Sequence, residues 1–105
     1  MSLNNAIVAG TTFGNATAIH THSGGNDEAI TCLFAYNSSA SPVTIHVYVG
    51  SGALSAQQQI IRTEIAAYDT FVINLEKLIL STGDKVSAWA DVDAVVFINE
   101  SYLVL

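Results

Sequence analysis

From Val43 to Val49 every second residue is a β-branched aliphatic: Val43, Ile45, Val47 and Val49 alternate with Thr44, His46 and Tyr48. Successive side chains of a strand point to opposite faces, so this is the pattern of a half-buried strand with its aliphatics turned inward. Pro42 stands at its entrance, where the missing N–H breaks no ladder hydrogen bond. The same cycle of turn and apolar run continues on either side. Asn37-Ser-Ser-Ala-Ser-Pro42 precedes this strand and Gly50-Ser-Gly52 follows it. Then come Gln57 to Ile65, the break Ala66-Ala-Tyr-Asp69, Thr70 to Leu75, the turn Ser81-Thr-Gly-Asp84, and Lys85 to Ala90.

The flanking segments extend the pattern. Asn5 to Gly10 is a short apolar run, and Ala16 to His22 sets Ala18, His20 and His22 on one face. Ser23-Gly-Gly-Asn-Asp-Glu28 is a loop of turn formers and acids. Ala29 to Asn37 carries Ile30, Cys32, Phe34 and Tyr36 on one side and Leu33 and Ala35 on the other, which suits a central strand. Ala53 to Ala67 fits a helical stripe through Leu54, Ile61 and Ile65, or a strand through Gln59, Ile61, Thr63 and Ile65. The neighbouring glycines and strands favour a strand from about Gln57.

Phe71, Ile73 and Leu75 alternate with Val72 and Asn74, and Leu75 to Leu80 has room for one helical turn. Lys85 to Asp91 turns Val86, Ala88 and Ala90 inward and leaves Trp89 with Lys85, Ser87 and Asp91. The tight connection Asp91-Val-Asp93 leads into Ala94 to Leu105, an apolar end that needs docking in the core or on a neighbouring subunit. About eight short runs, spaced by roughly 8–12 residues, define an all-β fold. The expectation is a single antiparallel β-sandwich of jelly-roll or Greek-key type, one domain over residues 1–105.

Composition restricts function. Half the residues are hydrophobic and 11% are charged, against about a quarter charged in a typical soluble domain. The longest apolar runs fall far short of the roughly 18 residues of a spanning helix, and Met1-Ser-Leu-Asn-Asn-Ala6 lacks the basic and apolar regions of a signal peptide. No membrane partner is therefore expected, and burial within an assembly accounts for the missing charge. Net charge is −6, with Arg62, Lys77 and Lys85 against nine carboxylates. Three scattered cations disfavour nucleic acid and anionic lipid as partners. The single cysteine, Cys32, has no internal disulfide partner and reads as a small buried hydrophobe.

His20-Thr-His22 is the strongest chemical candidate. Alternate strand residues point the same way, so two imidazoles about 7 Å apart at Cα share a face and could share a metal. His46, a carboxylate such as Asp27, or a threefold axis would have to complete the shell; the competing reading is a polar strand face beside a loop. The acids of Asn26-Asp-Glu28 and Asp91-Val-Asp93 do not have the spacing of a calcium loop. Cys32 is mid-strand, no serine lies in a Gly-x-Ser-x-Gly elbow, and there is no phosphate-cradling glycine loop. The residues thus predict no enzyme and no cofactor. Tyr48 and Trp89 are the binding candidates, as aromatics on a polar sheet face that could anchor a protein or stack on a sugar; the competing reading packs Trp89 on a neighbouring strand or under a loop.

Ala35-Tyr-Asn-Ser-Ser-Ala-Ser-Pro-Val-Thr-Ile-His-Val-Tyr-Val49 resembles a motif of small virion proteins of tailed bacteriophages: a strand, an Asn-Ser turn, and an alternating Val/Thr strand. Phe71-Val-Ile-Asn-Leu-Glu-Lys-Leu-Ile-Leu-Ser-Thr-Gly-Asp84 with Lys85-Val-Ser-Ala-Trp-Ala90 is similar to their second half. The match runs over roughly residues 29–98, and Gln57-Gln-Gln59 and Trp89 depart from it. The resemblance implies a β-sandwich virion subunit without catalytic residues. Its partners would be its own copies, as a trimer or dimer, and other virion proteins such as the major capsid protein. A capsid decoration or cement protein is the first expectation. A neck, tail or fibre component and a free carbohydrate-binding sandwich are the alternatives. The contact surface is expected at Thr44, His46, Tyr48 and Trp89, with Tyr102, Leu103 and Leu105 of the apolar end.

Overall fold

The computed structural model describes residues 2–105, with side chains described except at residues 2 and 74–77. Eight strands follow in order: β1 (Ser2–Ile7), β2 (Thr17–Thr21), β3 (Glu28–Asn37), β4 (Val43–Ser51), β5 (Gln59–Ile65), β6 (Thr70–Leu80), β7 (Asp84–Ala90) and β8 (Val96–Val104). They form two four-stranded antiparallel sheets, β1-β8-β3-β6 and β2-β7-β4-β5. The pairs β4·β5, β3·β6, β2·β7 and β1·β8 are those of one long hairpin whose tip is β4–β5. Successive pairs alternate between the sheets, so the hairpin is rolled into a jelly roll.

The alternation read at Val43–Val49 is what fills the space between the sheets. Val43, Ile45 and Val47 are buried from β4, Val86, Ala88 and Ala90 from β7, and Ile30, Leu33, Ala35, Val96 and Ile98 come from the opposite sheet. The segment left between helix and strand resolves into a 3-10 turn at Ala56–Gln58, closed by a Ser55–Gln58 capping box, and then β5. Among the described residues no helix is long and apolar enough to cross a membrane.

Four local readings need correction. The first strand begins at Ser2 rather than Asn5. Leu75–Leu80 is strand and not a helical turn, because β6 runs unbroken to Leu80 beside β3; the face that the alternation assigns to Leu75, with Phe71 and Ile73, lies outside the described side chains. A register shift between Ile30 and Cys32 splits the set Ile30, Cys32, Phe34 and Tyr36. The extra residue flips the alternation, so Ile30, Leu33 and Ala35 face the core. Cys32, which shares its face with the exposed Phe34, is consequently half-buried on the outer surface instead of in the core. A second shift between Ala18 and His20 separates Ala18 from the two histidines.

The Asn-Ser turn has a physical explanation. Asn37 is fully buried, and its amide nitrogen lies 2.8 Å from Ser41 O, 3.0 Å from Ile65 O and 3.2 Å from Ala66 O. Its Oδ1 accepts from Ser39 N at 2.9 Å and from Ser39 Oγ at 2.8 Å. One side chain thus closes the β3–β4 turn and ties it to the chain leaving β5.

Candidate functional site

The histidines read as possible metal ligands lie inside the sandwich. His20 Nε2 donates to Glu28 Oε1 at 2.7 Å, and His22 Nδ1 reaches the same oxygen at 2.9 Å. His20 Nδ1 is 3.7 Å from Glu100 Oε1, and the Tyr102 ring packs on His20 at 4.6 Å between centroids. The histidines come from β2 and its end, Glu28 from the first residue of β3, and Glu100 from β8. The cluster therefore joins the edge strand of one sheet to the centre of the other. His22 is fastened further by His22 N to Asp84 O and Gly83 N to His22 O, each 2.9 Å.

Neither His46 nor Asp27 reaches the two histidines, and the carboxylate beside them is Glu28. His46 faces outward on β4, Asp27 is exposed, and among the described residues no group of three or more His, Cys, Asp or Glu has the arrangement to hold a metal ion. The competing reading of a polar strand face also fails, since His22 is buried and His20 is engaged between the sheets. What the geometry builds is a clamp: one carboxylate oxygen lies within 2.9 Å of a ring nitrogen on each of two imidazoles across the interior. Glu100 is 1% exposed, and His22 Nε2 and both Glu100 oxygens have no hydrogen-bond partner. Burial pushes the Glu100 carboxyl above its ordinary value; His20 and the Asn4 amide oppose the shift and Glu28 adds to it. Glu28 reads as a loop acid from its neighbours. Glu100 was detectable, because it occupies an inward position two residues from both Ile98 and Tyr102.

Thr44, His46, Tyr48 and Trp89 do share the outer face of β2-β7-β4-β5, and three of them bond to one another. His46 stacks on Trp89 with centroids 3.8 Å apart and planes 6° from parallel. Trp89 Nε1 donates to the Tyr48 hydroxyl at 3.0 Å, and Phe13, from the short 3-10 turn Phe13–Asn15, covers Tyr48 edge-on. Tyr48 is buried as a result. His46 Nδ1 also meets Gln59 Oε1 at 3.1 Å. One face of the tryptophan is thereby taken by His46, and Arg62, Glu64 and Lys85 surround this set. Tyr102 turns inward against the core, while Leu103 and Leu105 are exposed.

The outer face of the other sheet has a different character, and sequence patterning did not single it out. In cross-strand register it presents Ile7–Phe97–Tyr36–Thr70, Asn5–Asn99–Phe34–Val72, and Leu3–Ser101–Cys32. Leu3 is 81% exposed, Ile7 50%, Val72 47% and Phe34 43%. No Asp, Glu, Lys or Arg occurs in these rows.

Fold and surfaces together define a jelly-roll β-sandwich with a charged outer face on one sheet and, among the described residues of the other, three outward cross-strand rows without charge. No family model, curated protein or solved structure matches the chain.

Proposed function

We propose that this chain is a structural protein of a bacteriophage virion, a decoration or cement subunit that stabilises the capsid shell by contact. The observation that carries the reading is the exposed apolar outer face of β1-β8-β3-β6, whose described cross-strand rows hold no charged residue. Monomeric proteins rarely leave a large contiguous apolar surface in water. A subunit whose working state is an assembly covers that surface. The low overall charge and the resemblance to tailed-phage virion proteins support the same reading.

The mechanism is mass action. A protein that binds assembled shell and not its dissociated parts stabilises the shell by its own binding free energy, about 2.7 kcal/mol per site at a hundredfold excess over Kd. Net charge of −6 suits the exterior, since packaged DNA would repel an acidic lining. The test adds purified protein to shells prepared without it. Saturable binding with a higher temperature of shell disruption is expected; absence of binding, or equal heat resistance, ends the proposal.

A further inference from the structure

We infer that the outer face of β1-β8-β3-β6 is the contact between two copies of this chain, packed sheet to sheet about a twofold axis. The inference rests on the reading of the chain as an assembly subunit and names the first partner of that face.

Charge argues for a second copy. A partner selected electrostatically needs ionic groups to read, and Arg62, Glu64 and Lys85 offer those on the other sheet. The described rows of this face offer aliphatic, aromatic, amide and hydroxyl groups. An identical surface covers these without leaving an ion buried and unpaired. Two chains of net charge −6 repel one another, and approach through this face buries none of the charged groups described on the opposite sheet.

Shape supplies self-complementarity. Phe34 stands proud on β3, 43% exposed. Beside it, between β1 and β8, lies a groove of about 310 Å³ lined by Asn5, Ile7, Phe97 and Asn99 with the Ala6 and Ile98 backbone region. Phe34 and Asn99 are cross-strand partners, so projection and groove are adjacent. A twofold axis lying in the interface, along the strands between β3 and β8, carries each Phe34 over the other copy's groove. Such a contact is isologous and closes at two subunits. It is also the aligned sheet-on-sheet packing that twisted sheets adopt.

Area is sufficient. Four strands at about 4.8 Å spacing and strand lengths of roughly 20–30 Å give about 500 Å² of sheet per copy. A pair therefore buries about 1,000 Å², the lower bound for a specific interface.

Sedimentation velocity on the full chain, from low to high micromolar concentration, tests this. The native protein is expected at twice its 11.1 kDa chain mass. Phe34→Glu, which puts a carboxylate in the contact, should weaken association at least about a hundredfold. Arg62→Glu on the opposite face should leave it unchanged. Circular dichroism checks the fold, and Asn99→Lys replaces Phe34→Glu if that variant does not fold. A native monomer throughout the range, or an oligomer whose mass both face variants preserve, overturns the inference. Shell binding is read separately: a monomer that still decorates shells sinks the twofold alone, and a dimer that binds none sinks the virion reading alone.

Discussion

Asn37 does with one side chain what a turn otherwise needs several residues to do. Its amide satisfies carbonyls of two connections while its oxygen accepts from Ser39. Truncation leaves those buried carbonyls short of a donor, at about 1–3 kcal/mol for an unsatisfied group. Asn37→Ala is therefore expected to cost about 2–4 kcal/mol in urea unfolding, with an unchanged slope. Asn37→Asp should lose a comparable amount at neutral pH, because it replaces the donating amide by a buried charge.

Glu100 shows the opposite economy, a buried carboxylate without a hydrogen-bond partner. Its folded value is raised above the ordinary 4.5. Between 4.5 and the raised value the folded chain keeps a proton that the unfolded chain has released, so stability falls as pH rises through that window. Above it the cost is constant. Glu100→Gln removes this titration. Its melting temperature should match the native protein's closely below pH 4.5, pull ahead through the window, and stay ahead at neutral pH. Parallel melting profiles for the two proteins across pH would refute the assignment.

Among the elements, the connections carry strain and the strands carry register. Ala94, between β7 and β8, has φ 56°, and its N–H donates to Val8 O at 3.0 Å. A left-handed alanine costs about 1–2 kcal/mol, partly offset in glycine by the greater entropy of the unfolded chain. Ala94→Gly should raise stability by about 0.5–1 kcal/mol, and Ala94→Val should lower it, both measurable by thermal melting.

Strand identity was legible wherever alternation was uninterrupted, as at Val43–Val49 and Lys85–Ala90. Jelly-roll pairing was anticipated as a class because the short runs and turn residues recur evenly. The facing of residues beyond a bulge was not legible. A single inserted residue inverts every later side chain, and nothing in Ile30-Thr-Cys-Leu33 or Ala18-Ile-His20 marks the insertion. The same limit hid the apolar outer rows, since Phe34 and Tyr36 read as partners of the inward Ile30. The His20–Glu28–His22 clamp combines residues from β2 and its end with the first residue of β3 in the opposite sheet. Their proximity depends on how the sheets stack, which period-two patterning does not encode.

For the whole molecule, the partition of charge matters more than its total. One outer sheet face bears Arg62, Glu64 and Lys85 around a self-bonded aromatic set, and the described residues of the other present apolar and neutral polar groups in three cross-strand rows. A subunit built this way associates through the second face and meets solvent or further partners with the first. Added salt should therefore leave self-association unweakened, because screening removes repulsion between acidic chains and the described rows of the contact supply no ion pair. An association that weakens as salt is added, followed by sedimentation, would count against an uncharged contact.

The number of copies per virion tests the functional account most directly. Quantitative mass spectrometry of purified particles, scaled to the major capsid protein, measures it. A decoration subunit is predicted in fixed proportion to the capsid protein over the whole shell. A few copies confined to one vertex, or absence from the particle, would contradict the account.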